Sequence, residues 1–341
     1  MREAAHVWLA MIALLVGQAP ATAASDAAAV PRVLRILPVG VRLWLGTTAG
    51  LWELDDGGRV ARVWDEADGL PSGVIYDTAV DGAGTLWVAT SRGIARRRGR
   101  RFEALTEGLP TVVTTALLPM RSGELYAGTA RGIARLVGAK WEPVFETHEF
   151  GRDRVLATAE APDGTAWFAK ERALTSIAPR GEMEVLYRDP LNPDPSVGPP
   201  STRVHALAFD VVGRLWLASA DGLSVLEAGR VVTHERWRPG LWGVDGLPAH
   251  RVWSIWIDAA DTVWLTFGDT PDANFVARRG RAASTWETVR VDTPQDSIAV
   301  YAVASDVAGR IWAGTSSGLF RLEADHFVSW PLVLPGRDAA G

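Results

Sequence analysis

Apolar residues recur along the chain in short runs that alternate with polar or small residues and stop at Gly- or Asp-containing turns. Over residues 204–237 the runs are "VHALAFD", "RLWLAS", "GLSVLEA" and "RVVTHERW". Alternation bounded by turn residues predicts short strands, four in this stretch. The phrase then begins again. "DVAGRIWAGTSSGLFRLEAD" from Asp306, "DGAGTLWVATSRGIARRRG" from Asp81 and "DVVGRLWLASADGLSVLEAG" from Asp210 share one pattern, each with an aromatic anchor after the first turn. The anchors are Trp44, Trp87, Tyr126, Trp167, Trp216, Trp264 and Trp312, spaced 43, 39, 41, 49, 48 and 48 residues apart. Seven strand-rich units of this period predict an all-β, seven-bladed β-propeller over residues 31–332, with four antiparallel strands per blade and a C-terminal tail at 333–341.

The turns support this division. Gly84, Gly123, Gly164, Gly213 and Gly309 stand three residues before their anchors, where a hairpin turn requires positive φ, and Asp261 takes that place in the sixth unit. Gly50, Gly93, Gly132, Gly222 and Gly318 stand six residues after their anchors and open the third strand, a feature the fourth and sixth units lack. Ala116, Ala157, Ala206 and Ala302 mark the first strand as the one lining the axis, because small side chains allow blades to converge. The anchors, one strand further out, are expected to fill the wedges between blades. Each would bury about 150–250 Å², which at about 25 cal/mol per Å² is several kcal/mol per blade as an upper bound.

Composition adds constraints. The chain has 341 residues, 48% apolar and 22% charged, with 16 tryptophans and no cysteine, so no disulfide holds it. The formal net charge of −5 argues against nucleic acid as a partner. The dense basic run Arg96–Arg101 reads as a solvated hairpin tip. Residues 1–23 carry an arginine, an apolar run from Val7 to Val16 and small residues at Ala21 and Ala23. That is the pattern of a cleaved signal peptide, too short to span a bilayer. The mature chain is therefore expected in the periplasm or outside the cell, without membrane insertion.

The repeat Asp306–Leu322, together with the joining phrases "DGLPSGVIYD" at Asp68, "EGLPTVVTT" at Glu107 and "DGLPAHRVWSIWID" at Asp245, resembles the two-component regulator propeller repeat of bacterial hybrid histidine kinases. The resemblance implies a non-enzymatic, extracytoplasmic sensor that binds a ligand, a carbohydrate among the candidates, or a protein partner. Such sensors are longer chains with a membrane span and a kinase core. This sequence stops at "PLVLPGRDAAG", so the expectation is a stand-alone relative or the partner of a membrane-bound signalling protein. The "DxxGxxW" rhythm is also similar to that of streptogramin lyases, which keeps a lyase or hydrolase at the channel mouth as the alternative.

No local catalytic motif is present. The histidines of the mature chain are dispersed, without metal-ligand spacing, so no metal, cofactor or catalytic residue is assigned. The longest insertions, Arg188–Arg203, Arg236–Arg251 and Phe267–Asn274, fall in units four to six and emerge on one rim. Long loops on a rigid scaffold are where binding residues gather. The inner strands begin on that rim with Tyr76, Thr115, Leu156, His205, Trp253 and Tyr301, each eleven residues before an anchor. Tyr76, His205, Trp253 and Tyr301, with Trp237, Trp242, His250 and Arg251 from the second insertion, are the predicted ligand-binding residues. An enzyme would draw on His205, His250 and an acidic neighbour.

Overall fold

The computed structural model describes residues 30–146, 154–171, 173–187, 203–227, 230–235, 246–249, 251–268, 274–295 and 298–334. The chain divides into Met1–Val30, of which only Val30 is described, and Pro31–Gly341. The signal segment 1–23, Trp237, Trp242, His250 and most of the three insertions lie outside the described residues.

Among the described residues the second unit holds 28 strands and one short 3-10 helix, Glu66–Asp68. The strands form seven four-stranded antiparallel meanders. Blade 1 comprises Val33–Val39, Arg42–Thr47, Leu51–Leu54 and Val60–Trp64, and blade 7 comprises Val300–Ser305, Ile311–Thr315, Gly318–Glu323 and His326–Trp330. The inner strands of blades 2 to 6 are Ile75–Val80, Thr114–Pro119, Val155–Glu160, Val204–Phe209 and Val252–Ile257. Each inner strand touches the next, and that of blade 7 touches that of blade 1, so the ring is closed.

Closure uses the same contact as the other seams. A side chain at Gly46 would strike Ile75 of the next blade at 2.9 Å, and one at Gly128 would strike Val155 at 2.4 Å. At Gly314 of blade 7 it would strike Val33 of blade 1 at 2.7 Å. Among the described residues, blades 1 and 7 are each built from consecutive strands, with no strand exchanged between them. The seam is further tied by the Trp330 indole, which donates to the Gly58 carbonyl at 2.8 Å, and by Trp312 packed among Leu43, Leu45 and Leu54.

One expectation is incomplete: blades 6 and 7 are not separate sheets. Their outer strands pair in parallel at Arg290–His326 and Val291–Phe327, giving one eight-stranded sheet. Outer edges otherwise carry unpaired N–H and C=O groups, and the Asp292 amide donating to the Phe327 carbonyl at 2.8 Å satisfies one pair here.

The repeat motif has an atomic explanation. Asp81, Asp210, Asp258 and Asp306 precede their anchor tryptophans by six residues, and Oδ2 of each accepts the anchor's indole N–H at 2.7–3.0 Å. The other oxygen accepts two backbone amides of the turn, at Ala83 and Thr85 for Asp81 and at Ala308 and Arg310 for Asp306. One carboxylate thus fixes both the turn and the tryptophan. The glycine before each anchor lies at φ 75–95°, and Asp261 adopts φ 61° in its place, as the sequence predicts.

At the other rim a Thr or Ser three residues after the anchor clamps the second turn. Its hydroxyl donates to the carbonyl of the glycine that opens the third strand at Thr47, Thr90, Thr129, Ser219 and Thr315.

Six anchors are buried, but Trp167 is only partly so. Ala161 stands where its aspartate would be, which leaves the indole without that acceptor. Phe168 on the opposite face of the strand is fully buried, against Tyr126 at 5.6 Å, and keeps that seam filled.

The basic run is also more than a solvated tip. Arg97 lies 5.1 Å from the rings of both Trp44 and Trp64 in blade 1, and Arg96 and Arg98 both pair with Glu103, at 2.8 and 3.2 Å, Arg98 being 59% exposed.

Burial opposes ionisation of Asp81, Asp210 and Asp306, yet the indole and backbone hydrogen bonds outweigh it and hold these carboxyls below the ordinary value. A depressed folded-state pKa contributes stability that is complete above the unfolded value, about 3.9. That contribution is lost as pH falls below it, so the melting temperature is expected to drop more steeply below pH 4 in the wild type than in Asp306→Asn. Asp306→Ala leaves a buried indole and two amides short of an acceptor, and should cost about 1–3 kcal/mol in urea unfolding at neutral pH.

Candidate functional site

The inner strands share a departure from regular pairing near their first residues. Register shifts occur between Val33 and Arg35, Ile75 and Asp77, Val155 and Ala157, Val204 and Ala206, Val252 and Ser254, and Val300 and Ala302. Blade 3 shifts between Thr114 and Ala116, opposite Thr129 and Gly128. Each is a β-bulge whose extra residue is left out of the ladder. A bulge turns its side chain away from the regular alternation, and bulges collect beside functional sites. The seven extra residues are Leu34, Tyr76, Thr115, Leu156, His205, Trp253 and Tyr301. The last six are the set eleven residues before the anchors.

Leu34 completes the ring and escapes that count. The first hairpin of blade 1 turns at Gly40 and Val41 between paired Val39 and Arg42, so it is shorter than the others and counting back from Trp44 reaches Val33.

Three of these positions interact along the mouth. The Thr115 hydroxyl donates to the Val155 carbonyl of blade 4 at 2.6 Å, and His205 Nδ1 lies 3.0 Å from the Val252 carbonyl of blade 6. A carbonyl only accepts, so Nδ1 donates in this bond. The His205 ring packs on Trp253 with centroids 5.2 Å apart and planes at 35°. Trp253 in turn covers Gly268, where a Cβ would fall 2.6 Å from the indole. Glycine at 268 is thus a condition for the tryptophan's placement. Tyr301 is nearly buried at 7% exposure, whereas Tyr76, His205 and Trp253 are half-buried.

Burial raises the Tyr76 hydroxyl above its ordinary value, and the charge of Arg154 opposes the rise. Arg154 precedes the inner strand of blade 4, and Tyr76 belongs to blade 2. Beside it, Asp77 takes the place of the alanines on the channel wall. Its Oδ2 accepts the Leu117 amide of blade 3 at 2.9 Å, and Oδ1 lies 3.4 Å from Arg35 of blade 1. Burial raises this carboxyl despite the guanidinium and the backbone donors. Asp77 therefore ties three blades together.

Of the predicted ligand-binding residues, Tyr76, His205, Trp253 and Tyr301 occupy equivalent bulge positions, and Arg251 lies two residues before Trp253, half-buried. Trp237, Trp242 and His250 lie outside the described residues. Leu34, Asp77 and Arg154 were not singled out from the sequence. The recurrence of an Arg-Val pair before Leu34, Leu156, His205 and Trp253 is the signal that identifies Arg154. Among the described residues no three His, Asp or Glu side chains cluster as a metal site would require.

Comparison with known proteins agrees with this architecture. A streptogramin B lyase superposes with a TM-score of 0.65 at 15% identity, covering 88% of this chain and 95% of the lyase. A catalytically inactive virginiamycin B lyase from Staphylococcus aureus, solved with quinupristin, gives 0.67 at 13% identity over 87% and 96% of the two chains. At such identity the likeness is one of fold. The extracellular domain of a putative one component system from B. thetaiotaomicron matches more loosely, with a TM-score of 0.46 and 14% identity over 93% of this chain and 50% of that one. No curated protein is significantly similar in sequence. Residues 69–92, which span the first "GLP" joint and the inner hairpin of blade 2, match the model for the two component regulator propeller. The chain is thus a seven-bladed β-propeller in which residues 69–92 match the two component regulator propeller repeat that the sequence resembles.

Proposed function

We propose that the protein is an extracytoplasmic, non-enzymatic sensor propeller that binds a ligand at the channel mouth on the bulge side. The carrying observation is the ring of bulges. One residue per blade is released from the ladder at the same level, and four of the seven are Tyr76, His205, Trp253 and Tyr301. Rings of this kind offer flat apolar faces with a polar edge, suited to a sugar ring or another small cyclic ligand. The opposite rim is built of aspartate-fixed hairpin turns whose side chains serve the scaffold. Export rests on the signal-like pattern of residues 1–23, and transmission to a membrane-bound signalling partner is the role that accompanies such a propeller.

The reading is tested by a thermal-shift screen of mono- and oligosaccharides against the wild type and His205→Ala. A ligand at 100 times its Kd stabilises by about 2.7 kcal/mol, a shift readily measured. The expected result is a stabilising ligand whose effect disappears in His205→Ala and survives Val211→Asp on the opposite rim. A shift unaffected by His205→Ala and removed by Val211→Asp would place binding elsewhere and reject the reading.

The second reading is a propeller lyase or hydrolase, supported by the fold shared with the streptogramin lyases and by His205, placed at the mouth, as a candidate base. If it were right, quinupristin would be opened by the wild type and not by His205→Ala. Under the sensor reading it stays cyclic after incubation with either, its chromatographic retention and fragmentation pattern unchanged.

A further inference from the structure

Among the described residues, one seam of the ring is closed by a strand ladder at its outer edge. The outer strands of blades 6 and 7, Glu287–Val291 and His326–Trp330, pair in parallel over the two rungs Arg290–His326 and Val291–Phe327. The Asp292 amide extends this pairing by donating to the Phe327 carbonyl at 2.8 Å. Two rungs make a short ladder, and parallel pairing is slightly less stable per residue than antiparallel. Side chains beside it therefore have leverage on whether the edge stays closed.

His326 stands at the first rung. Its Nδ1 lies 3.0 Å from Oδ1 of Asp325, in the turn before it, and its Nε2 lies 3.4 Å from Oδ2 of Asp292 in blade 6. A carboxylate only accepts, whereas a neutral imidazole has a proton on one nitrogen and a lone pair on the other. Only the imidazolium presents a proton to both neighbours, and the neutral ring turns a lone pair toward one of the carboxylates. The remaining charges around the ring leave a place for this one. Glu323 stands opposite His326 on the adjoining strand and is paired with Arg321. Arg290 stands opposite it across the seam and lies 3.0 Å from Asp292. Three carboxylates thus meet two guanidiniums, and the imidazolium balances the remainder. The hydrogen bond with Asp325 raises the His326 pKa above its ordinary value of 6.5; desolvation opposes the rise, and the charges of Asp292, Asp325 and Glu323 add to it. The same hydrogen bond holds the Asp325 carboxyl below its ordinary value.

We infer that the seam between blades 6 and 7 is a pH-operated latch, in which protonated His326 bridges Asp325 of its own blade to Asp292 of the neighbouring blade and holds the outer strands together. A group whose pKa is raised in the folded state contributes stability that is complete below its unfolded value, about 6.5 for histidine, and is lost as pH rises through the higher folded value. The latch is therefore closed in mildly acidic solution and released in alkaline solution. Blades 6 and 7 also contribute Trp253 and Tyr301 to the mouth, so the latch acts on the sector of the ring that carries two of its aromatic residues.

The test is amide hydrogen exchange at about pH 5.5 and pH 8, the range in which histidine changes charge, corrected for the intrinsic rate and read beside an NMR titration of the His326 ring. His326 should titrate above 6.5. Protection of the amide at 292 and of residues 327–330 should fall about two- to fivefold from the lower to the higher pH. The outer strand of blade 1, Val60–Trp64, forms no such ladder and should not change. His326→Gln keeps a polar side chain without the charge, and Asp292→Asn removes the carboxylate of blade 6 while leaving the pair with Asp325. Each should make protection of the amide at 292 independent of pH. Protection that does not vary with pH in the wild type, or that varies equally in either variant, would overturn the latch. A His326 ring titrating at or below 6.5 would overturn it as well.

Discussion

Replacing Trp312 by alanine is expected to lower the unfolding free energy by about 3–5 kcal/mol, the range for truncating a buried large aromatic. Trp312 is fully buried at the seam between blades 7 and 1, where it packs with Leu43, Leu45 and Leu54 and meets Trp330 edge-on at 5.3 Å. Its indole also holds Asp306 at 2.8 Å, so truncation removes a hydrogen bond and opens a cavity together. This seam joins the two ends of the propeller chain, and no disulfide supports it. The contrast is Trp167→Ala. Trp167 is only partly buried and lacks the aspartate, so its loss should cost much less, about 1–2 kcal/mol. Guanidinium unfolding of both variants checks the ordering, and equal losses would mean that burial at the seams does not set stability.

Trp253→Ala should have the opposite profile. Trp253 is half-buried, lies on Gly268 and His205, and belongs to no strand ladder rung. Removing it should leave the melting temperature within a few degrees of the wild type while weakening ligand binding by about 2 kcal/mol or more, a factor of about 30. Trp264→Ala, in the same blade, should do the reverse, because Trp264 is buried and bonded to Asp258 at 3.0 Å. Parallel melting and calorimetric measurements on the two variants distinguish the scaffold tryptophan from the mouth tryptophan. Two tryptophans in one blade are thereby assigned to different tasks.

Much of the scaffold is legible in the sequence, because each blade repeats its own requirements. The glycine before each anchor announces a positive φ, and the anchor announces a wedge. The aspartate six residues earlier is visible as a rhythm, but its bond to the indole appears only when the hairpin folds back and brings the two side chains together. The pairing of blades 6 and 7 is not legible, since it depends on where two outer edges meet rather than on any local pattern. Arg97 likewise reads as part of a solvated run, because its partners Trp44 and Trp64 belong to the neighbouring blade.

The candidate site is half legible. The aromatic character of residues 76, 205, 253 and 301 is plain, but a bulge is a one-residue offset in pairing and leaves no compositional mark. For the same reason Leu34 is missed, its blade having a shorter first hairpin. Arg154 is missed because a single arginine before a strand is unremarkable until it is aligned with Arg32, Arg203 and Arg251. Emphasis on the long insertions is the part that rests on residues outside the described set, Trp237, Trp242 and His250 among them. The bulge ring shifts the weight of the argument from those loops to the inner strands.

Hydroxyl-radical footprinting with and without a stabilising ligand tests the central claim most directly, since Trp, Tyr and His side chains report their own solvent access. The account predicts protection of Tyr76, His205 and Trp253 at the mouth, with Trp330 on an outer strand and the valines at 211, 212 and 307 on the opposite rim unchanged. Protection of Val211, Val212 and Val307, or of Trp330, with the mouth residues unaffected, would contradict it.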